Sequence, residues 1–305
     1  MKHFLEDIPP LEILVNRMKG VTYPPFREVN GHIHTPYSFS AFPAMETIFR
    51  MAKEENIAAL GINDFYVTDG YSSFHKGCVQ NNVFPLFNIE FIGLLKEEQK
   101  HGIRINDPNN PGRIYFSGKG LDFPFHTGLK QRIALWKVIK ESQGQMKAMI
   151  VRLNELIEKQ DPVLKLTYNK IRKDYAKDLV RERHLAKAVR TAAVNKFTEP
   201  GKQTGFLEAL YGGKKVRADI KNPAAVENEI RSNLLKSGGA AFVEENEKSF
   251  LELHKIIEII LKAGGIPCYP VLLDDPSGKF TEFEGDYEKL YQSLKNLGVV
   301  CIELI

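Results

Sequence analysis

What most constrains the fold is a change of hydrophobic period that repeats along the first third of the chain. Residues 27–34, REVNGHIH, read as a strand, and residues 43–56, PAMETIFRMAKEEN, place Met45, Ile48, Phe49 and Ala52 at helical spacing behind an early proline. IAALGIND (57–64) has the form of a short buried strand. DGYSSFHKGCVQNN (69–82) then reads as a helix with a polar end, and VFPLFNIEF (83–91) as a third strand. Strand–helix–strand–helix–strand implies parallel βα units with right-handed crossovers. After the turn-rich NDPNNPG (106–112), RIYFSG (113–118) is expected to be a fourth strand.

The alternation then lapses. From about Gly128 to Lys196 the pattern is helical, with Met146, Met149, Ile150, Leu153, Leu156 and Ile157 on one face. Asp161-Pro162 interrupts it, and shorter helices fill 203–236. The βα rhythm returns in NEKSFLELHKIIEIILKAGG (246–265), an amphipathic helix with Phe250, Leu253, Ile256, Ile257 and Ile260 inward and Gly264-Gly265 as its stop. IPCYPVLL (266–273) is a strand, DYEKLYQSLKNLG (286–298) a helix and VVCIELI (299–305) a strand. The expected organisation is an αβ barrel made of 1–127 and 237–305, with 128–236 as a helical insertion. An αβ barrel rarely ends on a bare strand, so a further C-terminal piece is expected beyond Ile305.

Composition narrows the class. With 305 residues, 43% of them hydrophobic, the chain can bury a large core, and 26% charged residues suit a soluble protein. Cys78, Cys268 and Cys301 are scattered, odd in number and without CxxC spacing, which argues against a disulfide framework and suits a reducing cytoplasm. The N-terminal MKHFLEDIPPLEILVNRMKG has acids and prolines where a signal peptide needs an apolar core, and no stretch approaches the roughly 20 apolar residues of a membrane span. A cytoplasmic protein with no membrane partner is expected. A net charge of +4 does not by itself imply a nucleic-acid partner.

In parallel αβ folds the working residues sit at the carboxyl ends of strands. The first strand delivers His32 and His34 there, the second Asp64 and the third Glu90. Alternation along a strand points both imidazoles the same way. Two imidazoles and two carboxylates make an N/O site for Zn, Mn or Fe, one or two ions. The competing reading keeps the histidines as core-edge residues and makes each acid a cap for the next helix.

At this point the chain resembles the polymerase-and-histidinol-phosphatase (PHP) family. GHIHTPYS (31–38), ALGINDF (59–65), PLFNIEF (85–91) and KAGGIPCYP (262–270) follow the order and spacing of its motifs, and RERHLAKAV (181–189) is similar to the Arg-x-His-Ile-Ala helix of one branch. The resemblance covers 28–92 and 245–305, with 181–190 more loosely. It implies a metal-dependent phosphoesterase on a distorted seven-stranded (β/α)7 TIM-like barrel of the PHP type. His32 and His34 would be first-strand ligands, Asp64 the second-strand acid, Glu90 a bridging carboxylate, and His184 a further site histidine.

The departures from the family pattern are equally specific. Phe39 stands where the family has an acid after the motif serine, Phe65 where it has the histidine after the second-strand Asp, and Tyr269 where it has the histidine of Ala-His-Pro. The family histidine near RIYFSG is missing, with Tyr115 and Phe116 in that region, and the final Asp-x-His would fall beyond Ile305. Fewer imidazoles imply a reduced metal site in a drier, narrower cleft. Tyr269 could still ligate or donate a proton, or simply fill the core. Asp274 and Asp275 could supply oxygens, or form a turn beside Pro276.

For an active site the expected chemistry is attack on phosphorus by metal-activated water, with Asp64 at a second metal position or orienting the water. His184 is the best candidate for a leaving-group acid, and His126 a more distant one. Lys165, Lys170, Arg172, Lys173, Lys177, Arg181, Arg183, Lys187 and Arg190 give the middle helices a basic face. That face is read first as a solvated surface and second as an attractant for phosphorylated partners. The substrate class is a phosphorylated small molecule or a nucleotide or nucleic-acid end. Three functions remain open: a phosphoesterase, a degenerate module that binds metal or a phosphorylated ligand without hydrolysis, and an interaction protein that uses the helical insertion.

Overall fold

The structure, a computed structural model, describes residues 9–20, 27–38, 42, 44–275 and 277–304. Phe39 and Pro276 lie outside the described residues. In chain order the elements are α1 (Leu11–Met18), β1 (Glu28–Ile33), α2 (Met45–Glu54), β2 (Ile57–Phe65), α3 (Tyr71–Gln80), β3 (Phe84–Leu94), α4 (Lys96–Lys100), β4 (Arg113–Lys119) and α5 (Leu129–Glu158). There follow α6 (Tyr168–Asp174), α7 (Glu182–Lys196), α8 (Pro200–Leu210), α9 (Pro223–Ile230), β5 (Leu251–Glu252), α10 (Leu253–Lys262), β6 (Ile266–Val271), α11 (Tyr287–Asn296) and β7 (Cys301–Leu304).

One mixed sheet organises these elements, in the order β1-β2-β3-β4-β6-β7, with β5 attached to β3. It curls into a half-barrel. The expected closed (β/α)7 barrel is corrected in two ways. Among the described residues no ladder joins β1 to β7. β4 runs antiparallel to both β3 and β6, whereas the other strands share one direction. The reason lies in the link between β3 and β4, whose only helix is the five-residue α4. A parallel crossover needs a helix long enough to traverse the sheet, and without one the chain turns back along the same edge.

The helix expected over 246–265 is also shorter than its pattern suggests. Glu247–Ser249 form a 3-10 turn, Leu251–Glu252 become β5, and only Leu253–Lys262 are α-helical. β2 ends at Phe65, opposite Glu90, which leaves the far end of β3 with a free edge. β5 takes that edge at Gly93 and Leu94. The remaining helix buries Leu253, Ile256, Ile259 and Ile260 against the sheet, each contributing roughly 1.5–3 kcal/mol.

Three apolar clusters result. One packs β1 and β2 against α2 and α3 through Ile33, Ile48, Phe49, Ile62 and Phe74. A second packs β3, β4 and β6 against α10 and the start of α5, including Val138. The third joins Met146, Met149, Ile150, Leu153 and Ile157 of α5 to Leu185, Val189, Phe206, Leu207, Val226 and Ile230. The helices between 146 and 243 therefore carry an apolar core of their own. At 30 residues, about 45 Å long, α5 runs from the sheet's core into this second body.

Candidate metal centre

The last turn of β1 sets the site. Ile33 is buried in the outer cluster, so His32 and His34 on either side of it project to the opposite face, into the half-barrel. Glu90 reaches the same space from β3. Its Oε2 lies 3.1 Å from His34 Nε2 and 3.7 Å from His32 Nε2. The candidate ligand atoms of His32, His34 and Glu90 all lie within 4.8 Å of one another.

The charge balance of this group fits a cation. Glu90 is 3% exposed, and its Oε2 is fully buried with no well-formed hydrogen bond. Burial alone would raise its carboxyl, but the two imidazoles outweigh burial and hold it below the usual carboxylate range. A second carboxylate stands behind the first histidine: Glu303 Oε2 is 3.0 Å from His32 Nδ1, while its Oε1 accepts from Lys119 Nζ at 2.8 Å. Burial opposes a charge on His32, yet Glu303 and Glu90 together push it up to about 9. Two carboxylates thus demand positive charge at His32. A proton meets that demand, and so does a divalent ion on Nε2 with Nδ1 donating to Glu303. The residues present fit a two-histidine, one-carboxylate centre with positions left for water and substrate.

Asp64 is not part of the group. Its Oδ1 accepts from Thr35 N (2.7 Å) and Ser38 Oγ (2.7 Å), and its Oδ2 accepts from Thr35 Oγ1 (2.5 Å). The side chain is fully buried, and burial pushes its carboxyl up to about 6 against the pull of those donors. Its work is to fold the β1–α2 loop back onto β2, where Ser38 Oγ also accepts from Phe65 N. In this structure the carboxylate bonds the loop and is not grouped with His32, His34 and Glu90.

His184 is likewise placed elsewhere. It sits in the first turn of α7, and its Nδ1 accepts from Arg181 N at 3.0 Å, capping its own helix. Burial, aided by Arg181, Lys187 and Arg183, lowers it to about 4, which favours the neutral ring. His126 is exposed and lies away from the cleft. Tyr269 turns to the other face of β6, where its hydroxyl donates to Glu284 Oε1 at 2.6 Å. Asp275 takes the turn role, accepting from Ser277 and Lys279 backbone and pairing with Arg104. Among the described substituted positions, Phe65 and Tyr115 line the cleft with the histidines. The Phe65 ring stacks on His34 at 4.9 Å, and the Arg181 guanidinium lies 5.3 Å from its centroid on the cleft side.

A cleft of about 960 Å³ opens over the group, lined on the rim side by His32, His34, Phe65, Glu90 and Tyr115 and on the helical side by Arg181, Glu182, Arg231 and Lys236. Arg231 and Lys236 both pair with Glu182, and Arg113 pairs with Glu245. Arg181 donates to Ser142 Oγ and has no carboxylate partner among the described residues. Lys165, Lys170, Arg172, Lys173 and Lys177 of the basic run are exposed, with pairs such as Lys170–Asp174 and Arg172–Asp178, whereas Arg183, Lys187 and Arg190 are half-buried and Arg190 pairs with Glu227. Sequence reasoning missed Glu303 and Lys119. The signal was present for Glu303, the lone charge of β7, and fainter for Lys119, which shares β4 with Arg113.

The fold and group define an αβ half-barrel with a candidate metal centre. Known structures share that fold. A candidate metal-dependent phosphoesterase of Bifidobacterium adolescentis superposes with a TM-score of 0.57 at 13% identity, covering 92% of this chain and 78% of its own. An amidohydrolase of Chromobacterium violaceum, with sulfate bound and no metal, superposes with a TM-score of 0.54 at 13% identity, covering 90% and 75%. No protein-family model matches the sequence, and no curated protein matches it. Among the described residues no helix is long and apolar enough to cross a membrane.

Proposed function

We propose that this chain is a metal-dependent phosphoric-ester hydrolase of the PHP kind, working with one ion held by His32, His34 and Glu90. The observation that carries the reading is the buried Oε2 of Glu90, without a well-formed hydrogen bond and faced by two imidazole nitrogens. Burying a carboxylate oxygen in this way is costly unless a cation meets it. When bound, the ion supplies an acidic water and Lewis acidity toward a phosphoryl oxygen.

The chain's own residues do the rest. Glu303, braced by Lys119, fixes the ring of His32. Phe65 covers one side of His34 and keeps the floor dry. Arg181, lying over Phe65 at the cleft wall, offers positive charge to the remaining phosphoryl oxygens. The helices of 128–236 act as an insertion that supplies this far wall. The substrate class is a phosphorylated small molecule or a nucleotide or nucleic-acid end.

A second reading, a module that binds metal or a phosphorylated ligand without turnover, is favoured by the commitment of Asp64 and His184 to structural bonds. Metal analysis of the purified protein, paired with turnover of a phosphate monoester and a diester, separates the readings. About one ion per chain, lost in His34→Ala, together with turnover, supports the enzyme. Less than about 0.2 ion per chain, unchanged in His34→Ala, sinks the metal centre itself. Metal without turnover of either ester selects the binding module.

A further inference from the structure

Below His32, on the two strands that close the half-barrel, a pair of thiols faces each other. Cys268 of β6 and Cys301 of β7 are register partners in a parallel ladder. Such partners project to the same face, and their Cα atoms are about 4.8 Å apart, inside the window that a disulfide spans. Both thiols lie in the field of Lys119 and Glu303, and Cys301 Sγ is 3.8 Å from Ile302 O. Cys268 is buried and Cys301 half-buried. The remaining cysteine, Cys78, is fully buried in the outer cluster, among residues of β1, β2, α2 and α3.

We propose that Cys268 and Cys301 are a modification site, closing to a reversible disulfide when a peroxide oxidises Cys301. The division of labour follows from the surroundings. The neighbouring Cys268 thiol, outweighing burial and helped by Lys119, brings the Cys301 thiol down, which favours its thiolate. The neighbouring Cys301 and burial push the Cys268 thiol up, so it keeps its proton until it is needed. Burial alone pushes Cys78 up to about 12 and leaves it inert.

The chemistry balances in two displacements. The Cys301 thiolate attacks one peroxide oxygen, the O–O bond breaks, and the departing hydroxide takes a proton to leave as water, giving a sulfenic acid. Cys268 then attacks that sulfur, the S–S bond forms as S–O breaks, and the released hydroxide leaves as water with the Cys268 proton. Two thiols lose two electrons in all, and the peroxide oxygens gain them. Closure pins β7 to β6 two residues before Glu303, the carboxylate that holds His32. The inference stands on the register alone and does not require the metal reading.

The test uses the whole reduced protein with hydrogen peroxide in a few-fold excess. Free thiols are then alkylated without reduction, and the digest is mapped by mass spectrometry. The expected result is a Cys268–Cys301 linked peptide within one chain, a mass lower by two hydrogens, Cys78 still a thiol, and recovery of both thiols with dithiothreitol. Cys268→Ser is expected to stop at a sulfenic acid on Cys301 that dimedone traps. If that variant fails to fold, the wild-type map decides alone. Cys301 advancing to sulfinic acid beside an unreacted Cys268, a link to Cys78, or a link only between chains would overturn the proposal.

Discussion

Asp64 offers the sharpest test, because sequence and structure assign it different work. Asp64→Ala would leave Thr35 N, Thr35 Oγ1 and Ser38 Oγ without their acceptor in a fully buried place. Each orphaned donor costs about 1–3 kcal/mol. Against that, removing the carboxylate relieves the work of keeping it ionised. Its value rises from 3.8 to about 6, which at 1.36 kcal/mol per pH unit is about 3 kcal/mol at pH 7. The net expectation is a loss of up to about 6 kcal/mol for Asp64→Ala.

Asp64→Asn keeps an oxygen for Thr35 N and Ser38 Oγ and sheds the charge, so it should fall within about 1 kcal/mol of wild type. The pH dependence has a definite sign. The folded form binds the Asp64 proton more tightly, so this group's penalty is full above pH 6 and fades as pH falls from about 6 to 3.8. Urea unfolding at several pH values, run beside a metal titration of both variants, measures every part of this. The reasoning fails if Asp64→Asn leaves stability unchanged and weakens metal binding by two orders of magnitude. Asp64 would then be a ligand, as its place at the end of β2 first suggested.

Other outcomes follow from the same geometry. Glu303→Gln should weaken metal binding by about 10–100-fold in a chelator-competition assay, because the acceptor that orients His32 Nδ1 loses its charge; unchanged affinity would show that His32 needs no such partner. His184, lowered from 6.5 to about 4, favours folding fully above pH 6.5 and loses about 3 kcal/mol of that contribution as pH falls to 4. Its slope opposes that of Asp64, so His184→Gln and Asp64→Asn unfolding curves are needed to separate them, and a His184→Gln curve as steep as wild type would refute the assignment. Gly61→Ala should destabilise by roughly 1–3 kcal/mol, since its Cβ would lie 2.3 Å from Gly31 O and 2.5 Å from Asn88 Nδ2. A melting temperature equal to wild type would show that β1 and β3 can part at no cost.

Much of the fold was legible because hydrophobic period is local. β1, β2, β3, β6 and β7, with α2, α3 and α11, stand close to where their patterns placed them. The direction of β4 was not, since direction depends on the length of a connection rather than on the strand. The amphipathic pattern of 246–265 overstated its helix because residues 251 and 252 meet the free edge of β3, which no local window contains.

Within the site, His32, His34 and Glu90 were readable from strand ends. Asp64 has the same sequence signature as a ligand, and only the hydroxyls of Thr35 and Ser38 distinguish it. His184 was hidden in a similar way: a histidine three residues after Arg181 caps a helix as readily as it serves a site. Arg231 and Lys236 come to the cleft wall through Glu182, a meeting that requires three-dimensional packing of α7 against the end of α9.

The reversal of β4 has a consequence for how this scaffold can vary. Around the other strands the rim is furnished by loops that follow a strand and must deliver the chain into a crossover, so their length and handedness are constrained. At β4 the rim receives the segment that precedes the strand, carrying Asn106, Asp107, Asn110 and Arg113 to the cleft. That segment is anchored by Ile105 in the core and by Asn106, whose amide donates to Tyr115 O and Pro270 O. Between those anchors and β4 it only has to turn the chain around, which makes residues 107–112 the natural place to graft a new substrate wall onto an unchanged candidate metal centre.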